Sequence, residues 1–219
     1  MKIVAILGSP HGMKGNTAKL LGETIRAAEK AGATVTTLSL AELKVEPCRG
    51  CDVCHKTGTC GRKDDFVKIK KAMEQSDGII LATPNYIFHV SAQLKALLDR
   101  CCGPLHLQHM DGKYGAAVVT SGGGGDEEIL QYMQRFLRTL GCWTVGGVAS
   151  PAHQLGDPKV VIAAADLGTR LAQAIQQKEK FPDQAKERAD FFARMKYVVS
   201  SRKEEWAYEY EYWKAQGRL

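Results

Sequence analysis

The sequence lacks several features that would place a protein outside the globular enzymes. No apolar run reaches the roughly 18 residues that a membrane helix needs. Residues 1–7, apolar apart from Lys2, are too short for a signal peptide and carry no cleavage site. There is no internal repeat and no low-complexity segment. These absences predict a cytoplasmic protein that is not inserted in a membrane.

A strong excess of one charge is also missing. Lys and Arg number 30 against 24 Asp and Glu, which gives a formal net charge of +6 spread along 219 residues. No basic element carries interleaved aromatic residues on which bases could stack. We therefore expect no nucleic-acid partner. The length suits one α/β domain, or one domain plus an extension, and a core of that size needs no disulfides.

Cysteines are concentrated in one place. Four of the seven follow the spacing C-x2-C-x2-C-x5-C, at Cys48, Cys51, Cys54 and Cys60. In a reducing compartment such a group favours metal binding or redox chemistry over disulfides. Three interpretations compete: a [4Fe–4S] cluster with four thiolate ligands, a structural zinc ion, and a metal-free loop. Ligand number and spacing favour the cluster. Zinc is disfavoured because no second C-x-x-C pair follows.

Apolar runs alternate with helix-periodic segments along the chain. Predicted strands span residues 2–7, 34–38, 78–83, 115–120 and 143–148. Helical stripes occupy residues 16–31 and the regions of Phe66, Leu94, Ile129 and Val160, each with a period near 3.6. This alternation predicts an α/β fold with a doubly wound five-stranded parallel sheet. The flavodoxin-like strand order 2-1-3-4-5 fits, and places a ligand at the carboxyl ends of the strands.

Two segments interrupt the alternation. A cysteine-rich loop, residues 46–63, follows the second strand and is long enough to indicate a functional role. A helical extension, residues 181–219, follows a main domain predicted at 1–180 and holds nine of the sixteen aromatic residues. The extension either packs on its own domain or forms an arm over a second subunit or a cofactor. Its content of Trp and Tyr favours the arm.

Three loops at the predicted carboxyl ends of strands carry candidate binding residues. The first offers Ser9, His11, Lys14, Gly15, Asn16 and Thr17; the second Pro84, Asn85, Tyr86, Ile87 and Phe88; the third Ser121, Gly122 and Gly123. The first loop is neither a Walker A loop nor G-x-G-x-x-G. Hydroxyl groups and amides at a helix N-terminus would nevertheless bind a phosphate. Singly, each loop could also be an ordinary turn, whereas all three together are far more specific.

These loops and the cysteine run make the chain resemble the NADPH-dependent FMN reductase group, and within it the iron–sulfur flavoproteins. The resemblance implies FMN with its phosphate on the first loop and its ring framed by the second and third. It also implies an oxidoreductase that passes electrons between ferredoxin or NAD(P)H and an acceptor through FMN and a [4Fe–4S] cluster. The flavin carries the chemistry, so no catalytic side chain is predicted. A homodimer or tetramer formed through the C-terminal extension is implied as well.

His11 departs from that pattern, because these proteins often carry Arg there. A neutral imidazole supplies less charge to a phosphate than a guanidinium, so binding would depend more on Lys14. The cysteine loop has a basic rim, made of Lys44, Arg49, Lys56, Arg62 and Lys63. This basic rim is either a solvated surface or a docking site for an acidic, ferredoxin-type redox partner.

Two other functions remain open on the sequence. One is a cluster-free NAD(P)H-dependent FMN or quinone reductase, and the other is a flavodoxin-type carrier or redox sensor without turnover. The remaining cysteines, Cys101, Cys102 and Cys142, are expected to be packing residues. His106 and His109 are expected on the surface, since no carboxylate pattern surrounds them.

Overall fold

A computed structural model describes residues 1–219, in which five strands form one all-parallel sheet. The strands are β1 (Lys2–Leu7), β2 (Thr34–Ser39), β3 (Gly78–Pro84), β4 (Tyr114–Ser121) and β5 (Trp143–Pro151). Their order is β2-β1-β3-β4-β5. Every residue of β3 and β4 is buried, as expected when helices cover both faces of a parallel sheet. The predicted fold and strand order are confirmed.

Nine α-helices accompany the sheet. They are α1 (Asn16–Lys30), α2 (Val53–Thr57), α3 (Phe66–Gln75), α4 (Ala92–Arg100), α5 (Cys102–His106), α6 (Asp126–Thr139), α7 (Pro158–Gln177), α8 (Pro182–Ser201) and α9 (Ala207–Ala215). The apolar stripes of α1 and α7 cover one face of the sheet, and those of α3, α4 and α6 cover the other. Gly168 lets α7 approach α1 closely, because a Cβ there would lie 2.0 Å from the Thr24 carbonyl oxygen.

The third crossover differs from its prediction. A single helix was predicted around Leu94, yet α4 ends at Arg100 and a separate short helix begins at Cys102. Cys101 stays in the core, as predicted, but Cys102 turns away from it and is only partly buried. The cysteine loop also contains α2, a five-residue helix that was not predicted.

The C-terminal helices pack on their own domain. Trp213 of α9 is fully buried, and its indole N–H donates to the His106 carbonyl oxygen at 3.0 Å. Tyr208 lies so close to Gly58 in the cysteine loop that a Cβ on the glycine would sit 2.2 Å from the phenol ring. Aromatic residues of the extension therefore make contacts within the chain. The boundary at residue 180 stays a prediction, and no helix is long and apolar enough to cross a membrane.

Candidate functional site

A cleft opens at the carboxyl ends of the strands, where the loops after β1, β3 and β4 meet. Its volume is about 240 Å³. Its lining consists of Ser9, His11, Asn16, Thr17, Pro84, Asn85, Tyr86, Thr120, Ser121, Gly122 and Ala152. No carboxylate is among these residues. The cleft lies where the crossovers leave β1 and β3 in opposite directions, which is the usual ligand-binding point of such sheets.

The start of α1 forms one end of the cleft. Gly15 precedes the helix, and no side chain caps the amides of its first turn. Uncapped amides and the positive end of the helix dipole both favour an anion there. Thr17 is buried, and its hydroxyl lies 2.6 Å from that of Thr120. Ser9 is also buried, with its hydroxyl oxygen accepting from the His11 amide at 3.2 Å.

The loop after β3 is fixed to the loop after β4. The Asn85 amide donates to the Gly124 carbonyl at 3.0 Å, and the Ser121 hydroxyl donates to Asp126 at 2.8 Å. Ile87 and Phe88 follow with positive φ angles of 50° and 59°, which side chains rarely adopt. Strained backbone of this kind is concentrated at ligand-binding sites.

The cleft does not include every residue that the sequence suggested. Lys14, Gly15, Ile87, Phe88 and Gly123 are absent from its lining. Lys14 is exposed near the start of α1, and its part in binding a phosphate stays a prediction. Sequence reasoning missed Thr120 and Ala152. Thr120 lies near the end of β4 and Ala152 directly follows β5. This position at a strand end was the only feature of the sequence that could have indicated them as lining residues.

The four clustered cysteines line a second cavity of about 70 Å³. Cys48 and Cys51 are exposed, while Cys54 and Cys60 are partly buried. The Gly50 amide donates to the Cys48 sulfur at 3.4 Å. Arg62 and Arg100 line the same cavity, and each has a buried Nε without a hydrogen-bond partner. Positive charge therefore lines the same cavity as the sulfur atoms.

A buried ion pair closes the base of the cysteine loop. The Arg100 guanidinium donates to both oxygens of Asp64, at 2.8 and 3.1 Å, and to the Glu46 carbonyl at 2.8 Å. Asp64 also accepts from the amides of Glu46 and Phe66. Burial opposes ionisation of Asp64, but the hydrogen bonds from Arg100 and these amides prevail and lower its pKa to about 2. Both ends of the loop are thus fixed to α4.

A polar cluster consists of His55, Cys102, His106 and Glu209, and its members His55 and Cys102 also line the cysteine cavity. The Cys102 sulfur lies 3.6 Å from His55 Nε2 and 3.8 Å from His106 Nε2. Hydrogen bonds from His106 and His55 lower the pKa of the Cys102 thiol to about 6. Burial disfavours charge on His106, but its hydrogen bonds to Cys102 and Glu209 raise its pKa to about 9. The expectation of a surface His106 and a packing Cys102 was wrong.

Comparison with known proteins decides the family. The family described as NADPH-dependent FMN reductase matches residues 1–155. The chain belongs to this family. An iron-sulfur flavoprotein of Archaeoglobus fulgidus is 32% identical over 221 residues, covering 99% of each chain. An iron-sulfur flavoprotein of Methanocaldococcus jannaschii is 38% identical over 159 residues, or 71% of this chain and 81% of that protein.

Solved structures agree on the fold. RosB with bound 8-demethyl-8-formylriboflavin-5′-phosphate superimposes with a TM-score of 0.65 at 14% identity, covering 87% of this chain and 86% of the other. The chain described here, as a member of the NADPH-dependent FMN reductase family, is a flavin-dependent oxidoreductase. The family supports FMN as its flavin. The expected resemblance to iron–sulfur flavoproteins is confirmed.

Proposed function

We propose that the chain passes electrons between a reduced donor and an acceptor through FMN in the strand-end cleft and a [4Fe–4S] cluster on Cys48, Cys51, Cys54 and Cys60. The observation that carries this proposal is the convergence of all four cysteines on one cavity in a relative of iron-sulfur flavoproteins. When bound, FMN and the cluster supply the electron chemistry, and the protein positions and tunes them. The donor is NAD(P)H or a ferredoxin-type protein.

The cleft suits a flavin phosphate at the α1 end. The uncapped amides of α1 and the hydroxyls of Ser9 and Thr17 provide donors, and no carboxylate opposes the charge. Tyr86 and the backbone at Ser121 and Gly122 lie on the other side, where they would frame the isoalloxazine. Ile87 and Phe88, exposed by 92% and 76%, stand near this rim as the apolar cover of the ring.

The cysteine cavity suits a cluster better than a single zinc ion. Four thiolates on zinc, with Zn–S bonds near 2.3 Å, bring the sulfurs to about 3.8 Å from one another. Only His55, Cys102 and His106 form a group of three ligand atoms that all lie within 4.8 Å. The four cysteine sulfurs are therefore spaced more widely than a mononuclear site requires. The guanidinium groups of Arg62 and Arg100 would offset the negative charge of a thiolate-bound cluster.

The two sites are about one helix apart within the chain. Ser91 caps α4 beside the cleft and donates to the Gly8 carbonyl at 2.5 Å. Arg100, at the other end of α4, lines the cysteine cavity. Nine helical residues span about 14 Å. A homodimer or tetramer formed through the C-terminal extension stays a prediction. The side chain of Tyr197 on α8, 73% exposed, is available for such a contact.

Phosphate binding is tested by replacing Thr17 with valine, which keeps the shape but removes the hydroxyl. A hydrogen bond to a charged group contributes about 1.5–3 kcal/mol. We therefore expect FMN affinity to fall roughly 10- to 100-fold, measured by flavin fluorescence titration of flavin-stripped protein. Thr24→Val is the matched control, because Thr24 is buried on the same helix with no hydrogen-bond partner. Equal affinity in the two variants would place the phosphate elsewhere.

The basic rim is proposed to attract an acidic redox partner. Lys44 and Arg62 form ion pairs with Glu46, at 3.2 and 3.6 Å. The exposed and unpaired positive charge of the basic rim therefore comes from Arg49, Lys56 and Lys63. The rate of electron transfer with a ferredoxin should fall as salt rises, and Lys56→Glu should lower it at low salt. Lys159→Glu, in the first turn of α7 on the other face of the sheet, should leave the rate unchanged. A rate independent of ionic strength excludes this docking surface.

The flavin and iron content of the purified protein and its turnover of an electron donor distinguish the proposed function from its two alternatives. Anaerobically purified protein with flavin and about four irons per chain supports the cluster, and flavin without iron eliminates it. Steady NADPH oxidation by iron-free protein would indicate the cluster-free FMN or quinone reductase. Bound FMN without turnover of any electron donor would indicate the flavodoxin-type carrier or sensor.

A further inference from the structure

The polar cluster beside the cysteine loop has the geometry of a metal site. One ring nitrogen of His55, one of His106 and the Cys102 sulfur all lie within 4.8 Å of one another. The two nitrogen–sulfur distances are 3.6 and 3.8 Å. A tetrahedral zinc ion with Zn–N near 2.0 Å and Zn–S near 2.3 Å separates nitrogen from sulfur by about 3.5 Å. An ion placed between these atoms requires only small movements of three side chains.

The side chains that contact the two histidines, Glu209 and Trp206, also favour metal binding. Glu209 is fully buried, and its two oxygens accept from His55 Nδ1 at 2.6 Å and from His106 Nδ1 at 3.0 Å. A carboxylate on the far nitrogen fixes the ring and leaves Nε2 for the metal, which is the usual outer partner of histidine ligands. One carboxylate here orients both histidines. Trp206 stacks on His55 with ring centroids 4.4 Å apart and shields the site from solvent.

We propose that His55, His106 and Cys102 bind one zinc ion at the inner edge of the cysteine cavity, which His55 and Cys102 also line, without using the four clustered cysteines as ligands. Two imidazoles and one thiolate form a borderline donor set that suits zinc. Asp52, half exposed with an oxygen 3.9 Å from His55 Nε2, or a water molecule completes the tetrahedron. Since the ligands must be deprotonated, zinc binding releases protons.

The site joins parts of the chain that are distant in sequence. His55 belongs to α2 in the cysteine loop, His106 to α5, and Glu209 to α9 in the C-terminal extension. Zinc would therefore hold the extension against the cysteine loop. This role does not depend on flavin or cluster chemistry, so the proposal can fail while the proposed function stands, and the reverse.

The test is metal analysis and zinc-edge X-ray absorption on the intact, iron-loaded protein after equilibration with one equivalent of zinc chloride and desalting. We expect one zinc per chain, surrounded by two nitrogen ligands, one sulfur and one oxygen or further light atom. Iron content should not change. No retained zinc, or a shell of four sulfurs, would overturn the proposal without reference to any variant.

Four variants locate the ion. Cys102→Ser should lose most of the zinc, and Glu209→Gln should weaken zinc binding about 10- to 100-fold, both with iron retained. His109→Gln is the control, because His109 lies in the same region but pairs with Glu74 instead. Zinc retained at wild-type affinity by Cys102→Ser would also overturn the assignment. Loss of zinc only when Cys51 is replaced would place the ion in the cysteine loop.

Discussion

Replacing Cys51 with alanine is expected to lower iron from about four atoms per chain to near zero, while FMN content stays unchanged. Cys51 is exposed at the cysteine cavity and contributes to no core cluster. Its loss should therefore remove a ligand without unfolding the domain. The cleft is built from other loops, so flavin should remain. Iron analysis, flavin extraction and the visible spectrum of anaerobically purified protein give both quantities.

The matched control for this variant is Cys142→Ala. Cys142 is fully buried in the core and lies outside the cysteine cavity, so its replacement should leave iron at the wild-type level. Iron unchanged in Cys51→Ala would eliminate the four-cysteine cluster. Parallel loss of flavin and iron would show that the loop supports the cleft, contrary to the separation of the two sites along α4.

Replacing Asp64 with asparagine is expected to lower the free energy of unfolding by about 3–5 kcal/mol. The substitution leaves the Arg100 charge buried without its partner, since both side chains are almost fully buried. It also weakens the hydrogen bonds that close the cysteine loop. Chemical denaturation followed by circular dichroism measures the loss. Asp99→Asn, which breaks an exposed pair with Lys95 on the same helix, should cost less than about 1 kcal/mol.

The pH dependence of the Asp64 pair has a definite sign. The pKa of Asp64 is lowered from 3.8 to about 2 in the folded protein. Its stabilisation is therefore fully present above about pH 4 and lost as pH falls toward 2. Asp64→Asn should remove this part of the acid sensitivity. If the free energy of unfolding changed equally with pH in the wild type and the variant between about pH 4 and pH 2, the lowered pKa of Asp64 would be contradicted.

A double replacement separates charge from packing at this pair. Asp64→Leu combined with Arg100→Met removes both charges and leaves apolar side chains of similar size. Such exchanges are often neutral or stabilising, so most of the stability lost in Asp64→Asn should return. Iron content should still fall, because Arg100 faces the cysteine sulfurs. Recovery of stability without loss of iron would confine Arg100 to a structural role.

Much of the flavin cleft could be predicted from the chain. The alternation of apolar strands and helical stripes predicts the sheet order, and in such a sheet the loops after β1, β3 and β4 must converge. Ser9, Thr17, Asn85 and Ser121 follow from that rule and do line or brace the cleft. Ile87 and Phe88 could not be placed, because their direction depends on a left-handed turn that the sequence does not announce.

The sequence by itself determined the fold class, the family and the four-cysteine spacing, because these depend on local periodicity and on residues close together in the chain. Only the tertiary structure decided what surrounds the cysteines. Arg100 meets Asp64 across 36 residues, and Glu209 meets His55 across 154. Such contacts depend on how α2, α4, α5 and α9 pack, and helix packing leaves no local pattern around a single His or Glu. The same packing buried Trp206 and Trp213 of the extension within the chain and left Tyr197 exposed.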